Sequence, residues 1–103
     1  MAIEVLIKRK IKQGGHAKKL VPLILQMRAL ALHQPGYISG KTLCDLENPG
    51  DCLVISIWET VNAWNRWKQN KARARIESKI EALTGEETLY KTYAPMTAGQ
   101  TDR

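Results

Sequence analysis

Residues 48–60 read Asn48-Pro49-Gly50-Asp51-Cys52-Leu53-Val54-Ile55-Ser56-Ile57-Trp58-Glu59-Thr60. Asn-Pro-Gly-Asp is turn chemistry, because proline presets φ, glycine tolerates a positive φ, and Asn and Asp bond their own backbone. The run from Cys52 to Trp58 is β-rich and apolar on both faces, as expected of an inner strand. Glu59-Thr60 then changes the pattern, with Thr60 placed to cap a helix.

Upstream of the turn, Tyr37 to Leu46 is a second strand candidate, so the two runs form a hairpin. Before it, Leu20, Leu23, Ile24, Met27, Leu30 and Ala31 recur at three and four, which predicts an amphipathic helix within His16–Gln34. Pro22 is comfortable only in a first turn, so the regular helix either starts near Lys19 or kinks. Gln34-Pro35-Gly36 stops it. At the N-terminus Ile3, Val5, Ile7 and Ile11 alternate with Glu4, Lys8 and Lys10, a strand, and Gln13-Gly14-Gly15 breaks it.

Downstream, Trp64, Trp67 and Lys68 sit at helical spacing, and after Asn70 a second pattern runs through Ala72, Ile76, Ile80 and Leu83. Arg73 and Glu77 form an i,i+4 pair expected on the outer face of that helix. Gly85 ends it. Thr88 to Ala94 is the fourth strand, stopped by Pro95. Residues 1–95 thus read as one domain, and residues 96–103 as a small polar tail expected to be disordered.

The order β-α-β-β-α-β predicts an α+β, ferredoxin-like fold with one four-stranded antiparallel sheet and two helices on one face. Strands one and three carry apolar residues on both faces. Ile3, Val5 and Ile7 oppose Leu6, and Leu53, Ile55 and Ile57 oppose Val54 and Trp58. The face without helices therefore needs cover, and a second copy of the same sheet is the simplest cover, which predicts a homodimer.

Composition excludes several classes. The 103 residues are 44% hydrophobic and 25% charged, an ordinary globular balance. No apolar run approaches a membrane span, and Met1-Ala2-Ile3-Glu4 does not begin a signal peptide, so a cytoplasmic location is expected. Cys44 and Cys52 flank the turn and are expected to be two buried, reduced thiols. With only His16 and His33 as histidines, no set of residues has zinc spacing. The net charge of +6 comes from runs such as Lys8-Arg9-Lys10, but Glu77 and Glu81 interleave the later run and no nucleic-acid motif occurs, so nucleic acid is not the expected partner. No phosphate loop and no nucleophile motif occur, so neither a nucleotide nor a metal cofactor is expected.

Three motifs carry a family resemblance. They are Ala31-Leu32-His33-Gln34-Pro35-Gly36-Tyr37, then Ser56-Ile57-Trp58-Glu59-Thr60 followed by Ala63-Trp64-Asn65-Arg66-Trp67, and the closing helix-glycine-strand. From about Ile3 to Pro95 the chain resembles the antibiotic biosynthesis monooxygenase family, within the dimeric α+β barrel superfamily. The resemblance implies oxygenation of aromatic, polyketide-like substrates without a cofactor, or haem breakdown. The helical tryptophan of the haem-degrading branch falls on Trp67, its iron-ligating histidine on Glu77, and its first-strand asparagine near Ile7. The polyketide-oxygenating branch pairs an asparagine with a tryptophan one turn later. Here Ala63 holds that place, with Asn62 and Asn65 beside it.

The expected substrate-binding residues are Trp67, Trp64, His33 and Asn65, and no catalytic residue is singled out. Trp64 and Trp67 read as an aromatic wall or as core packing. His33 reads as a base or ligand, or as a cation at a helix end. Tyr37, Tyr90 and Tyr93 read as donors to a phenolic ligand or as ordinary strand residues. Arg28 reads as a partner for an acidic ligand or as a snorkelling side chain. Together these predict a small monooxygenase acting on a flat aromatic or quinol-like molecule. The alternative is a non-catalytic dimeric binding module for a small aromatic or haem-like ligand.

Overall fold

The computed structural model describes residues 2–11 and 16–96. The Gln13-Gly14-Gly15 break and the tail beyond Met96 lie outside the described residues, as does the side chain of His16. The elements are β1 (Ile3–Lys10), α1 (His16–Ala31), β2 (Tyr37–Cys44), β3 (Asp51–Trp58), α2 (Val61–Lys68), α3 (Lys71–Thr84) and β4 (Leu89–Tyr93). The strands form one antiparallel sheet in the order β2-β3-β1-β4. This is the ferredoxin-like α+β arrangement, with the second helical region divided in two.

That division has a local cause. Thr60 caps α2 by accepting from the Ala63 amide, and Asn70 caps α3 by accepting from the Arg73 amide at 3.1 Å. An asparagine that binds the next turn's backbone starts a helix rather than continuing one. In α1, Pro22 lies inside the helix and is exposed, so the helix starts before Lys19. The missing amide leaves the Lys18 carbonyl without its helical donor, which is tolerable on a face open to water.

Strand register assigns the two faces. Ile3, Val5, Ile7 and Arg9 are buried beneath the helices, opposite Trp58, Ser56, Val54 and Cys52. Leu6, Leu53, Ile55 and Ile57 point the other way and are only half-buried. Leu20, Met27, Ala31, Trp64, Trp67, Ile76 and Ile80 close the core from the helical side.

Gly36 joins the helical layer to the sheet. Its φ is +85°, and a Cβ there would lie 2.5 Å from the Ala63 Cβ. Only glycine takes both that backbone and that contact without strain. Its carbonyl accepts from the Glu59 amide at 2.8 Å, which ties the start of β2 to the end of β3.

Cys44 and Cys52 face one another across the hairpin, Sγ to Sγ 3.1 Å, and both are free. The expectation of two buried thiols holds only for Cys52; Cys44 is exposed, because it is near the end of the edge strand β2. Burial, together with the contact to Cys44, pushes the Cys52 thiol up to about 12.

Candidate functional site

The chain has three tryptophans, and all three line one cleft between α1 and the sheet. Trp58 ends β3 on the helix-facing side, because residues 52, 54, 56 and 58 share that face. Trp64 and Trp67 lie three apart on α2 and so project together. The Trp58 ring is 5.9 Å from Trp64 and 6.4 Å from Trp67, nearly parallel to the latter at 26°. Tyr37 meets Trp58 edge-on at 5.3 Å, and the Trp58 Nε1 donates to Ser56 Oγ at 3.1 Å. The indole N–H of Trp58 is thus satisfied inside the stack. The cleft has a free volume of about 50 Å³, and Ile24, Met27 and Arg28 complete it from α1.

Its other end is ionic. Arg9 and Arg73 line the cleft and are buried, at 6% and 4% exposure. Behind them Glu77, on α3, collects four donors. Its Oε1 accepts from Arg9 Nη2 at 2.7 Å, from the Tyr90 hydroxyl at 2.7 Å and from Arg73 Nη2 at 3.4 Å; its Oε2 accepts from Thr88 Oγ1 at 3.1 Å. Arg73 Nη2 also donates to Tyr90 Oη at 2.8 Å, and its guanidinium lies over the rings of Tyr90 and Trp64.

The Arg73–Glu77 pair is therefore not on an outer face. The buried stripe of α3 is Arg73, Ile76, Glu77, Ile80 and Thr84, turned toward the sheet. The physical reason is Arg9, which arrives from β1 and neutralises a carboxylate that α3 alone could not bury. Desolvation alone would raise the Glu77 pKa, but Arg9 by charge and hydrogen bond, with help from Tyr90 and Arg73, wins and holds it below the ordinary value. Burial, and then the neighbouring carboxylate, push the Tyr90 phenol up to about 12 against the pull of Arg73.

Of the expected site residues, Trp64 and Trp67 line the cleft. His33 is exposed in the turn after α1, and Asn65 is exposed on the opposite side of α2; neither lines it. Tyr37 and Arg28 line it, whereas Tyr93 is half exposed on β4. Sequence reasoning missed Arg9, Thr42 and Trp58 as lining residues. Arg9 had a visible signal, since it continues the alternation Ile3, Val5, Ile7 onto the buried face. Among the described residues, no group of three or more His, Cys, Asp or Glu side chains is arranged to hold a metal ion.

Residues 2–79 match the antibiotic biosynthesis monooxygenase family. The chain belongs to that family. Among solved structures of the same fold is SnoaB from Streptomyces nogalater, a cofactor-independent oxygenase. It is 13% identical with a TM-score of 0.80, covering 94% of this chain and 95% of that one. A conserved protein from Methanosarcina mazei Go1 is 19% identical with a TM-score of 0.85, covering 93% and 94%. Rv0793 from Mycobacterium tuberculosis is 11% identical with a TM-score of 0.80, covering 94% and 97%. No curated protein matches the sequence. Both oxygens of Glu77 are engaged inside the protein. No described helix is long and apolar enough to cross a membrane.

Proposed function

We propose that the chain is a small monooxygenase that oxidises a flat aromatic or quinol-like substrate without a nucleotide or metal cofactor. The observation that carries this reading is the convergence of Trp58, Trp64 and Trp67 on one cleft. Family membership supports it, as does the shared fold with SnoaB, a cofactor-independent oxygenase. The substrate ring lies against the indoles, is ionised there, and donates its own electrons to dioxygen. A ring CH2 becomes C=O; one oxygen atom enters the product and the other leaves as water with both hydrogens. The protein orients the ring and excludes solvent. Haem binding through a histidine-like ligand is the weaker reading, because Glu77 is a carboxylate already held by two arginines.

Oxygen-electrode assays with anthrone, in the presence of a chelator, test the proposal. One O2 consumed per anthrone is expected, with the rate on the order of 10- to 100-fold lower in Trp67→Phe, which misplaces the ring. Uptake no faster than without protein sinks it.

We propose further that the protein is a homodimer through the face of the sheet without helices. Leu6, Leu53, Ile55 and Ile57 lie there, with Leu43, Leu89 and Tyr93 between 44% and 59% exposed at its margins. These apolar side chains, which share the face with Glu4, Lys8, Lys41 and Lys91, are stabilised by a matching copy. Sedimentation at micromolar concentration should show a species of twice 11.6 kDa. A species of 11.6 kDa alone rejects the dimer.

A further inference from the structure

Arg9 and Arg73 face a single carboxylate, Glu77, so the buried cluster carries one positive charge in excess. Among the described residues, the buried side-chain polar atoms without a hydrogen-bond partner are Arg9 Nε, Thr42 Oγ1 and Arg73 Nε. All three residues line the tryptophan cleft. A buried donor left unpaired is destabilising, and an uncompensated buried charge is more so. Glu77 does not relieve them, because its contacts are to the Nη2 atoms, Tyr90 and Thr88 and reach neither Nε. A neutral arene on the tryptophans would leave both the charge and the donors as they are.

We infer that the cleft takes its aromatic ligand as an anion, with a charged ring oxygen held by Arg9, Arg73 and Thr42 and the ring against the indoles. This rests on the aromatic-substrate reading above and narrows it to one chemical class, phenols and enols that ionise. Guanidinium groups suit this role because their N–H edges match oxyanions and they stay charged when buried. The free volume of about 50 Å³ suits the oxygen group, while the ring enters by displacing Met27, an unbranched side chain able to repack. For an ionisable phenol the proton leaves to solvent, so binding lowers the phenol's apparent pKa.

The test uses 4-nitrophenol, whose ionised form is coloured, titrated with protein just below its own pKa. The three indole N–H cross-peaks in a 1H–15N spectrum report the place, since every tryptophan lines the cleft. 4-Nitrobenzoate and neutral 4-nitrobenzamide are the companion probes. Wild type is expected to draw 4-nitrophenol into its coloured form, lowering its apparent pKa by about one unit or more, a tenfold preference. Equal response to 4-nitrobenzoate would overturn the restriction to ionising hydroxyls; response to the phenol alone supports it. Arg73→Gln leaves Glu77 paired with Arg9 and bonded to Tyr90, and is expected to abolish the preference. Thr42→Val removes one donor and no charge, keeps the test open if Arg73→Gln does not fold, and is expected to weaken the preference. Equal binding of 4-nitrobenzamide, an undiminished preference in the variants, or no indole shift with any probe overturns the inference. No oxygen is consumed in these titrations, so their failure and failure of the anthrone assay are separate results.

Discussion

Glu77→Ala is expected to lower folding stability by about 3–5 kcal/mol, because it leaves two guanidiniums buried without a carboxylate. For a domain of this size that is a fall in Tm of about 12–40 °C. The Tyr90 and Thr88 hydroxyls lose their acceptor in the same step. A urea titration measures the loss, and a value below about 1 kcal/mol would show that the cluster does not hold α3 to the sheet. The same carboxylate gives a pH signature. Its folded pKa lies below 4.5, so the unfolded chain takes up the proton first. Its contribution is intact above about pH 4.5 and is lost as pH falls through the lower folded value. Glu77→Gln, which cannot ionise, should show a shallower decline of Tm below pH 4.5 than wild type.

Trp58→Ala is expected to cost about 3–5 kcal/mol as well, by the opposite mechanism, the loss of a large apolar volume rather than of a charge. Trp58 is 1% exposed and touches Tyr37, Trp64 and Trp67 at once. Removing it should also collapse the near-ultraviolet circular dichroism of the coupled indoles while the far-ultraviolet spectrum persists. Near-native stability, or an unchanged near-ultraviolet spectrum, would show that the aromatic stack is not the centre of the cleft.

The two variants differ in how much of their effect could be read before the fold was known. Trp58 sits in a strand whose alternation is plain, and its place on one face follows from counting by two. Its meeting with Trp64 and Trp67 does not follow, because it depends on the angle at which α2 leaves Thr60 and packs against Gly36. The helical pattern shifts after Asn70, yet the order β-α-β-β-α-β counts α2 and α3 as one element, and the Asn70 cap that divides them is seen only in the fold. His33 and Asn65 stand in motifs beside the site residues but lie off the cleft. Their exposure was settled by the turn after α1 and by the rotation of α2, neither of which shows in spacing.

The clearest contrast is Arg73 and Glu77. Spacing identified them as a pair, and local propensity placed a charged pair on solvent. Arg9 lies 68 positions before Glu77, and only the register of β1 under α3 brings it within 2.7 Å.

The sequence by itself determined the α+β order, the antiparallel sheet, the two-faced strands and the family, since these follow from period, turns and caps acting within a few residues. Tertiary structure alone decided that three tryptophans share one cleft and that Arg9 and Arg73 bring a surplus charge to it. Those are long-range coincidences of side chains, set by register and helix rotation, and burial then gives them a weight that no local pattern carries.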